Sequence, residues 1–158
     1  MKFSLLSNSV EQTHKFGEAL GRTVQEGDII ALCGELGAGK TELVRGIARG
    51  MECEKNIPVA SPTYILLREY PGRLWLYHFD FYRLDSPVQL EGIGYEEYFE
   101  GDGVCVVEWA DKFPQIFPEQ TLWIELEIVS ENTRKLVFQT KMDKIWKGRL
   151  EKIFPEGK

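Results

Sequence analysis

The sequence predicts an α/β fold in which helices cover both faces of a mixed parallel and antiparallel sheet. Three observations predict it. Asp28-Ile29-Ile30-Ala31-Leu32-Cys33 is a nearly continuous apolar run, followed by a glycine-rich turn and a stretch with one apolar helical face. Strand, turn and helix in that order form the repeating unit of parallel α/β architecture. Val104-Cys105-Val106-Val107 is a second unbroken apolar run, the mark of a strand buried on both faces. Thr121 to Val129 alternates, with Leu122, Ile124, Leu126 and Ile128 on one face, and Arg134 to Thr140 returns after the turn Ser130-Glu131-Asn132-Thr133. That pattern is an antiparallel pair.

In chain order, Ser9-Val10-Glu11-Gln12 reads as a capping box, with Ser9 as N-cap and Gln12 reaching back. Val10, Phe16, Leu20 and Val24 then mark an amphipathic helix of about four turns. Gly27-Asp28 leads into the first predicted strand. From Glu42 to Met51, residues Leu43, Val44, Ile47, Ala48 and Met51 share one helical face. Ile57 to Tyr64 holds two prolines and no helical period, so it is a loop. Tyr64–Tyr70 and Leu74–Phe79, separated by Pro71-Gly72-Arg73, read as a β-hairpin. Ser86-Pro87 starts a short helix with proline at N1, and Tyr95 to Phe99 forms another helical turn. Met142, Ile145, Trp146, Leu150 and Ile153 give a final amphipathic helix. The expected organisation is one domain spanning 1–158, with a core of about 5–140 and a basic helix over 141–158.

Gly34-Glu35-Leu36-Gly37-Ala38-Gly39-Lys40-Thr41 satisfies G-x-x-x-x-G-K-[ST], the phosphate-binding P-loop. Its glycines let the backbone turn so that successive N–H groups face an anion. The helix that follows points its positive end at the same place. Lys40 is expected to reach the β- and γ-phosphates, and the Thr41 hydroxyl to hold Mg²⁺. The candidate nucleotide-binding segment is therefore Glu35, Leu36, Gly37, Ala38, Gly39, Lys40, Thr41 and Glu42. The fold expectation sharpens to a P-loop NTPase-like three-layer fold.

A P-loop needs a second acidic group to complete its Mg²⁺ site, usually at the end of a neighbouring buried strand. Glu108, directly after Val104–Val107, fits that place. Asp80, in His78-Phe79-Asp80-Phe81-Tyr82-Arg83, is the second candidate, for orienting the attacking water or binding metal through water. His78 reads as a packed or hydrogen-bonded residue. Ser61-Pro62-Thr63 suits a loop that senses the γ-phosphate.

The bulk numbers narrow the classes. The net charge of -6 argues against a protein that holds nucleic acid unaided. Residues 141–158 nevertheless carry six Lys or Arg against three Asp or Glu, which reads as a solvated basic helix or a contact for RNA or an acidic partner. No apolar run approaches a membrane span, and Met1 to Leu6 is too short for a signal peptide. Three cysteines without zinc-like spacing fit a reducing cytoplasm. Cys33 and Cys105 are expected to be buried, and Cys53 exposed.

GELGAGKTE, Ser-Pro-Thr-Tyr at 61–64, His-Phe-Asp-Phe-Tyr-Arg at 78–83 and Val-Glu-Trp at 107–109 together resemble the bacterial TsaE family, also called YjeE. The resemblance covers about residues 5–140. It implies a P-loop ATPase, with ATP and Mg²⁺ as cofactors, needed for threonylcarbamoyladenosine (t6A) formation in tRNAs that read codons beginning with A. It implies work with the TsaD–TsaB complex, with tRNA met through that complex. It further implies that Thr41 and Glu108 are the Mg²⁺ ligands, that Asp80 is the functional aspartate, and that Thr63 belongs to a switch loop. Trp109 matches the family's tryptophan after the glutamate. Ser9 and Thr13 resemble an N-terminal helix that approaches the nucleotide, and Arg134 resembles a late arginine near the base. The usual family P-loop has Thr or Ser where this chain has Glu42, so an added negative charge near the phosphates is expected to weaken ATP binding.

Three other readings stay open on the residues alone. A small-molecule kinase would share the P-loop, but no arginine-bearing lid is evident beyond Arg45 and Arg49. A GTPase would use Thr140-Lys141-Met142-Asp143 to read guanine, yet D-x-x-G is absent where the chain has Glu108-Trp109-Ala110-Asp111. A nucleotide-dependent adaptor would present Tyr95, Tyr98 and Phe99 to a partner, although core packing explains these aromatics equally well.

Overall fold

A computed structural model describes residues 1–54, 58–59 and 66–157. Seven strands form one sheet in the order β1-β7-β6-β2-β5-β4-β3. They are β1 (Lys2–Ser7), β2 (Ile29–Cys33), β3 (Leu67–Tyr70), β4 (Leu76–Asp80), β5 (Val104–Glu108), β6 (Leu122–Ile128) and β7 (Arg134–Gln139). β2 pairs in parallel with β5 and β6, and β5 in parallel with β4. The β3–β4, β6–β7 and β1–β7 pairs are antiparallel. The sheet is thus parallel around the strand that precedes the P-loop and antiparallel at its hairpins, as the sequence predicts.

Alternation along the strands divides the apolar residues between two cores. On one face Ile30, Leu32, Val106, Ile124 and Phe138 meet helices α1 (Val10–Thr23), α2 (Lys40–Gly50) and α5 (Asp143–Ile153). On the other, Ile29, Ala31, Phe79, Cys105 and Val107 meet α3 (Pro87–Ile93), α4 (Tyr95–Phe99) and two 3₁₀ turns, Ala110–Lys112 and Pro114–Ile116. The result is three layers. Tyr95, Tyr98 and Phe99 pack against this second core, and Tyr98 and Phe99 meet Phe79 edge-on at 5.6 and 6.1 Å.

α1 keeps Leu20, Val24 and Phe16 on the first core as expected and departs from that face at Val10. Val10 is 58% exposed, and the buried side runs through Thr13, His14, Gly17, Leu20 and Gly21. Ser9 caps the helix as expected, accepting from the Gln12 N–H at 3.0 Å, but the Gln12 side chain accepts from Asn8 rather than from Ser9. β1 was not legible as a strand. It pairs with β7 from Lys2↔Gln139 to Ser7↔Arg134, and Phe3 stacks on Phe138 at 4.8 Å.

α5 lays Trp146 and Leu150 into the first core with no solvent exposure. Trp146 Nε1 donates to Gln120 O at 2.7 Å, and Arg149 grips Asp28 through two bonds of 2.6 and 3.2 Å. The basic helix is therefore docked on the sheet, with Lys144, Lys147 and Lys152 facing outward. Cys105 is buried as expected, but Cys33 and Cys53 are both half-buried. Cys33 is the last residue of β2, where the strand leaves the core for the loop. No helix among the described residues is long and apolar enough to cross a membrane.

Candidate functional site

The C-terminal ends of β2, β4 and β5 lie side by side, and the three segments that leave them build one cleft. Gly34 to Gly39 leaves β2 and wraps the start of α2. Gly34 has φ +144, and a Cβ there would lie 2.5 Å from Leu126 O, so only glycine lets the loop pass this close to β6. Gly39 stands at the helix N-cap with φ 104 and offers no capping side chain. The first α2 amides are thus left facing the loop, which suits an anion. Leu36 at the loop tip is 75% exposed, and Ala38 is buried beneath it.

Lys40 folds back over the loop. Its ammonium donates to Gly34 O at 2.5 Å and Glu35 O at 3.0 Å. It also lies 4.0 Å from the centre of the Trp109 ring. Trp109 has φ 58, a left-handed conformation unfavourable for a bulky residue, and this bend puts its ring against Lys40. Burial pushes the Lys40 pKa down, while Glu108, Asp80 and Asp111 pull it up. Tyr82 packs on Trp109 at 4.9 Å.

Parallel register puts Asp80 opposite Glu108. Both are buried. The Thr41 hydroxyl lies 2.9 and 3.1 Å from the two Glu108 carboxylate oxygens, so the predicted metal ligands meet in space across 67 residues. A hydroxyl and a carboxylate are hard oxygen donors of the kind Mg²⁺ prefers. No group of three or more His, Cys, Asp or Glu able to hold a metal occurs among the described residues. Asp80 Oδ1 accepts from the Tyr82 N–H at 2.9 Å, fixing the carboxylate at the strand end.

The cleft of about 420 Å³ holds Gly37, Lys40, Thr41, Asp80, Glu108 and Trp109 together, with Tyr82 and Arg83 added to its wall. Arg134 joins from the first position of β7. It donates to Gly37 O at 3.3 Å as well as to Ser130, Glu131 and Thr133 carbonyls. Ser9 and Thr13 are not among the residues that line this cleft. The buried Thr13 hydroxyl bonds Ser7 Oγ at 2.7 Å, a contact between β1 and α1. Thr63, with Ser61 and Pro62, lies outside the described residues.

Glu42 lies at the start of α2, but its charge is engaged. One carboxylate oxygen accepts from Arg45 Nη1 and the other from His14 Nε2. Arg49 Nη1 donates to His14 Nδ1 at 3.3 Å, which leaves the ring proton on Nε2. Arg45 Nε also donates to Val59 O at 2.8 Å. His78 is both packed and hydrogen-bonded, as the sequence suggests. It is fully buried, with Nε2 2.5 Å from Glu108 Oε2. Its signal was the two-residue spacing to Asp80, which puts both side chains on one face of β4.

Thr140-Lys141-Met142-Asp143 follows the far end of β7. β7 runs antiparallel to β6, and β6 parallel to β2, so this segment lies at the opposite end of the sheet from the P-loop. Asp143 there bonds the Met1 amino group at 2.8 Å. It is not placed to read a base whose phosphates sit in the loop.

The family model for "Threonylcarbamoyl adenosine biosynthesis protein TsaE" matches residues 7–136. The chain belongs to the TsaE family. It is 40% identical over 131 residues to the tRNA threonylcarbamoyladenosine biosynthesis protein TsaE of Treponema pallidum, covering 83% of this chain and 96% of that protein. To the protein of the same name from Bacillus subtilis it is 36% identical over 129 residues, covering 81% and 79%. To that of Haemophilus influenzae it is 40% identical over 134 residues, covering 82% and 83%. The crystal structure of Bacillus subtilis YdiB superposes with a TM-score of 0.79 at 29% identity, over 97% of this chain and 94% of that one. The TsaE match ends within β7, so α5 lies beyond it.

Proposed function

We propose that this TsaE-family chain is a Mg²⁺-dependent ATP hydrolase that serves t6A biosynthesis in tRNA, acting with a TsaD–TsaB complex. The observation that carries the reading is the Thr41–Glu108 contact in the same cleft as Lys40 and the glycine loop. Loop amides and Lys40 bind the phosphates and stabilise charge that develops on them. Lys40 reaches them by leaving the Gly34 and Glu35 carbonyls. Thr41 and Glu108 would hold Mg²⁺, which supplies further charge neutralisation when bound. Asp80, held by the Tyr82 amide beside Glu108, orients the attacking water. Arg134 steadies the outer loop through Gly37. The chain's net charge of -6 supports meeting tRNA through the complex rather than alone.

The test is an ATPase assay with and without TsaD–TsaB and tRNA, with product identified. ADP and inorganic phosphate released faster with the complex are expected. A phosphorylated small molecule would replace this reading with a kinase, and a preference for GTP would replace it with a GTPase. Asp80→Ala is expected to bind ATP and the complex but lose t6A formation. Full modification by this variant would remove Asp80 from the mechanism and favour a nucleotide-dependent adaptor with incidental hydrolysis.

A further inference from the structure

The buried pair His78 and Glu108 assigns a role to a histidine that touches no expected substrate atom. We propose that His78 is the positioning residue for Glu108. It fixes the carboxylate so that the oxygens shared with Thr41 stay turned toward the nucleotide cleft. The inference rests on the nucleotide-site reading above and deepens it.

Three observations carry it. His78 and Asp80 are two residues apart on β4 and share a face, while parallel register sets Asp80 directly opposite Glu108. Glu108 therefore has β4 side chains along one flank. His78 Nε2 lies 2.5 Å from Glu108 Oε2, and Thr41 Oγ1 lies 2.9 and 3.1 Å from the two oxygens. The Thr41 contact is exchangeable, because that hydroxyl is itself an expected ligand. The His78 contact is fixed, since the ring is fully buried within the sheet's first core face and has no room to turn out. Groups that orient a ligating carboxylate in this way commonly govern metal affinity by 10- to 100-fold.

A carboxylate oxygen only accepts, so Nε2 is the donor in the bond to Glu108. Position 78 thus asks for a donor at the Nε2 place. Gln reaches that place with its amide, whereas Leu fills the volume and donates nothing.

The experiment measures Mg²⁺-dependent and Mg²⁺-free binding of a non-hydrolysable ATP analogue to wild type, His78→Gln, His78→Leu and Glu108→Gln. His78→Leu is expected to lower the Mg²⁺-dependent affinity about tenfold or more. Binding in EDTA should change by less than about twofold, because the loop and Lys40 are untouched. His78→Gln should recover most of the loss. In the Glu108→Gln background, His78→Leu should add nothing. Equal losses with and without Mg²⁺, or no loss in His78→Leu, would overturn the proposal. If neither wild type nor variants bind the analogue, the nucleotide-site reading fails instead.

Should the Leu variant not fold, the wild type still answers. The chain has only two histidines, so ¹⁵N spectra of the imidazoles assign readily with a His14→Gln control. A slowly exchanging Nε2–H on His78 that shifts when Mg²⁺ is added to the analogue complex is expected. An Nδ1–H tautomer, or a resonance indifferent to Mg²⁺, would overturn the assignment.

Discussion

Gly17 of α1 and Gly46 of α2 bring the two helices into backbone contact. A Cβ built on Gly17 would lie 2.8 Å from Gly46 Cα, and one built on Gly46 would lie 2.9 Å from Gly17 Cα. Gly21 and Gly50, one turn on, repeat the contact at 3.0 and 2.9 Å. Each helix thus carries a G-x-x-x-G stripe, and the stripes face one another. The consequence is functional, because α2 begins at Lys40 and its first turn presents the cleft.

Alanine at either contact forces the backbones apart. Gly17→Ala and Gly46→Ala are each expected to destabilise the fold by about 1–3 kcal/mol, the usual cost of overpacking. Urea unfolding midpoints measure it. Gly148→Ala is the control. It sits inside α5, where a Cβ meets nothing within 4 Å, and should raise stability by about 0.5–1 kcal/mol. A Gly17→Ala midpoint at the wild-type value would show that α1 slides freely on α2.

Glu42 was expected to repel phosphate. Its pairing with Arg45 and His14 predicts a smaller effect, since the charge is met locally. Glu42→Gln should change ATP affinity less than about threefold and cost about 0.5–1 kcal/mol of stability, as for a partly exposed ion pair. Calorimetric titration with ATP checks the first figure. A gain in affinity above tenfold would mean that the carboxylate does reach the phosphates.

What was legible in the sequence divides along physical lines. The strand–loop–helix unit from Asp28 to Met51 is encoded locally, by apolar runs and glycine spacing, and appears where expected. Glu108 and Asp80 were legible because strand ends flank the P-loop in any parallel sheet. β1 was not, since Lys2–Ser7 exposes Leu6 and alternates poorly, and what makes it a strand is β7, more than 120 residues away. On α1 the apolar spacing marks Phe16, Leu20 and Val24 but not Gly17 and Gly21, because glycines carry no hydrophobic signal. The Lys40–Trp109 contact depends on the positive φ at Trp109, which no side-chain pattern announces.

The cysteines predict an alkaline limit. Burial pushes the Cys105 thiol from 9.0 up to about 12 in the fold. The folded pKa is raised, so the stabilisation is complete below pH 9 and is lost as pH climbs from 9 toward 12, where the unfolded thiol ionises and the folded one does not. The slope is at most about 1.4 kcal/mol per pH unit. Cys105→Ala should therefore narrow its stability deficit against wild type between pH 9 and 10.5, measured by urea midpoints. Native Cys105 should also resist iodoacetamide at pH 8 and react only when unfolded. Rapid alkylation of the native thiol would contradict its burial.

Lys40 predicts the opposite slope. Burial lowers its pKa below 10.5 in the fold, with Glu108, Asp80 and Asp111 offsetting part of the shift. Between the lowered folded value and 10.5 the unfolded chain binds the extra proton, so stability rises with pH across that window. Lys40→Met lacks this titration. Wild type should therefore gain stability relative to Lys40→Met as pH is raised toward 10.5, and the two unfolding midpoints should keep a constant separation at lower pH. The same variant should lose ATP affinity about 100-fold or more, because an ammonium bonded to phosphate contributes several kcal/mol. The two results are linked. The ammonium that burial disfavours, held on the Gly34 and Glu35 carbonyls and against Trp109, is the group that turns to the triphosphate. A Lys40→Met variant that kept both its ATP affinity and the wild-type pH slope would show that this lysine only braces the loop.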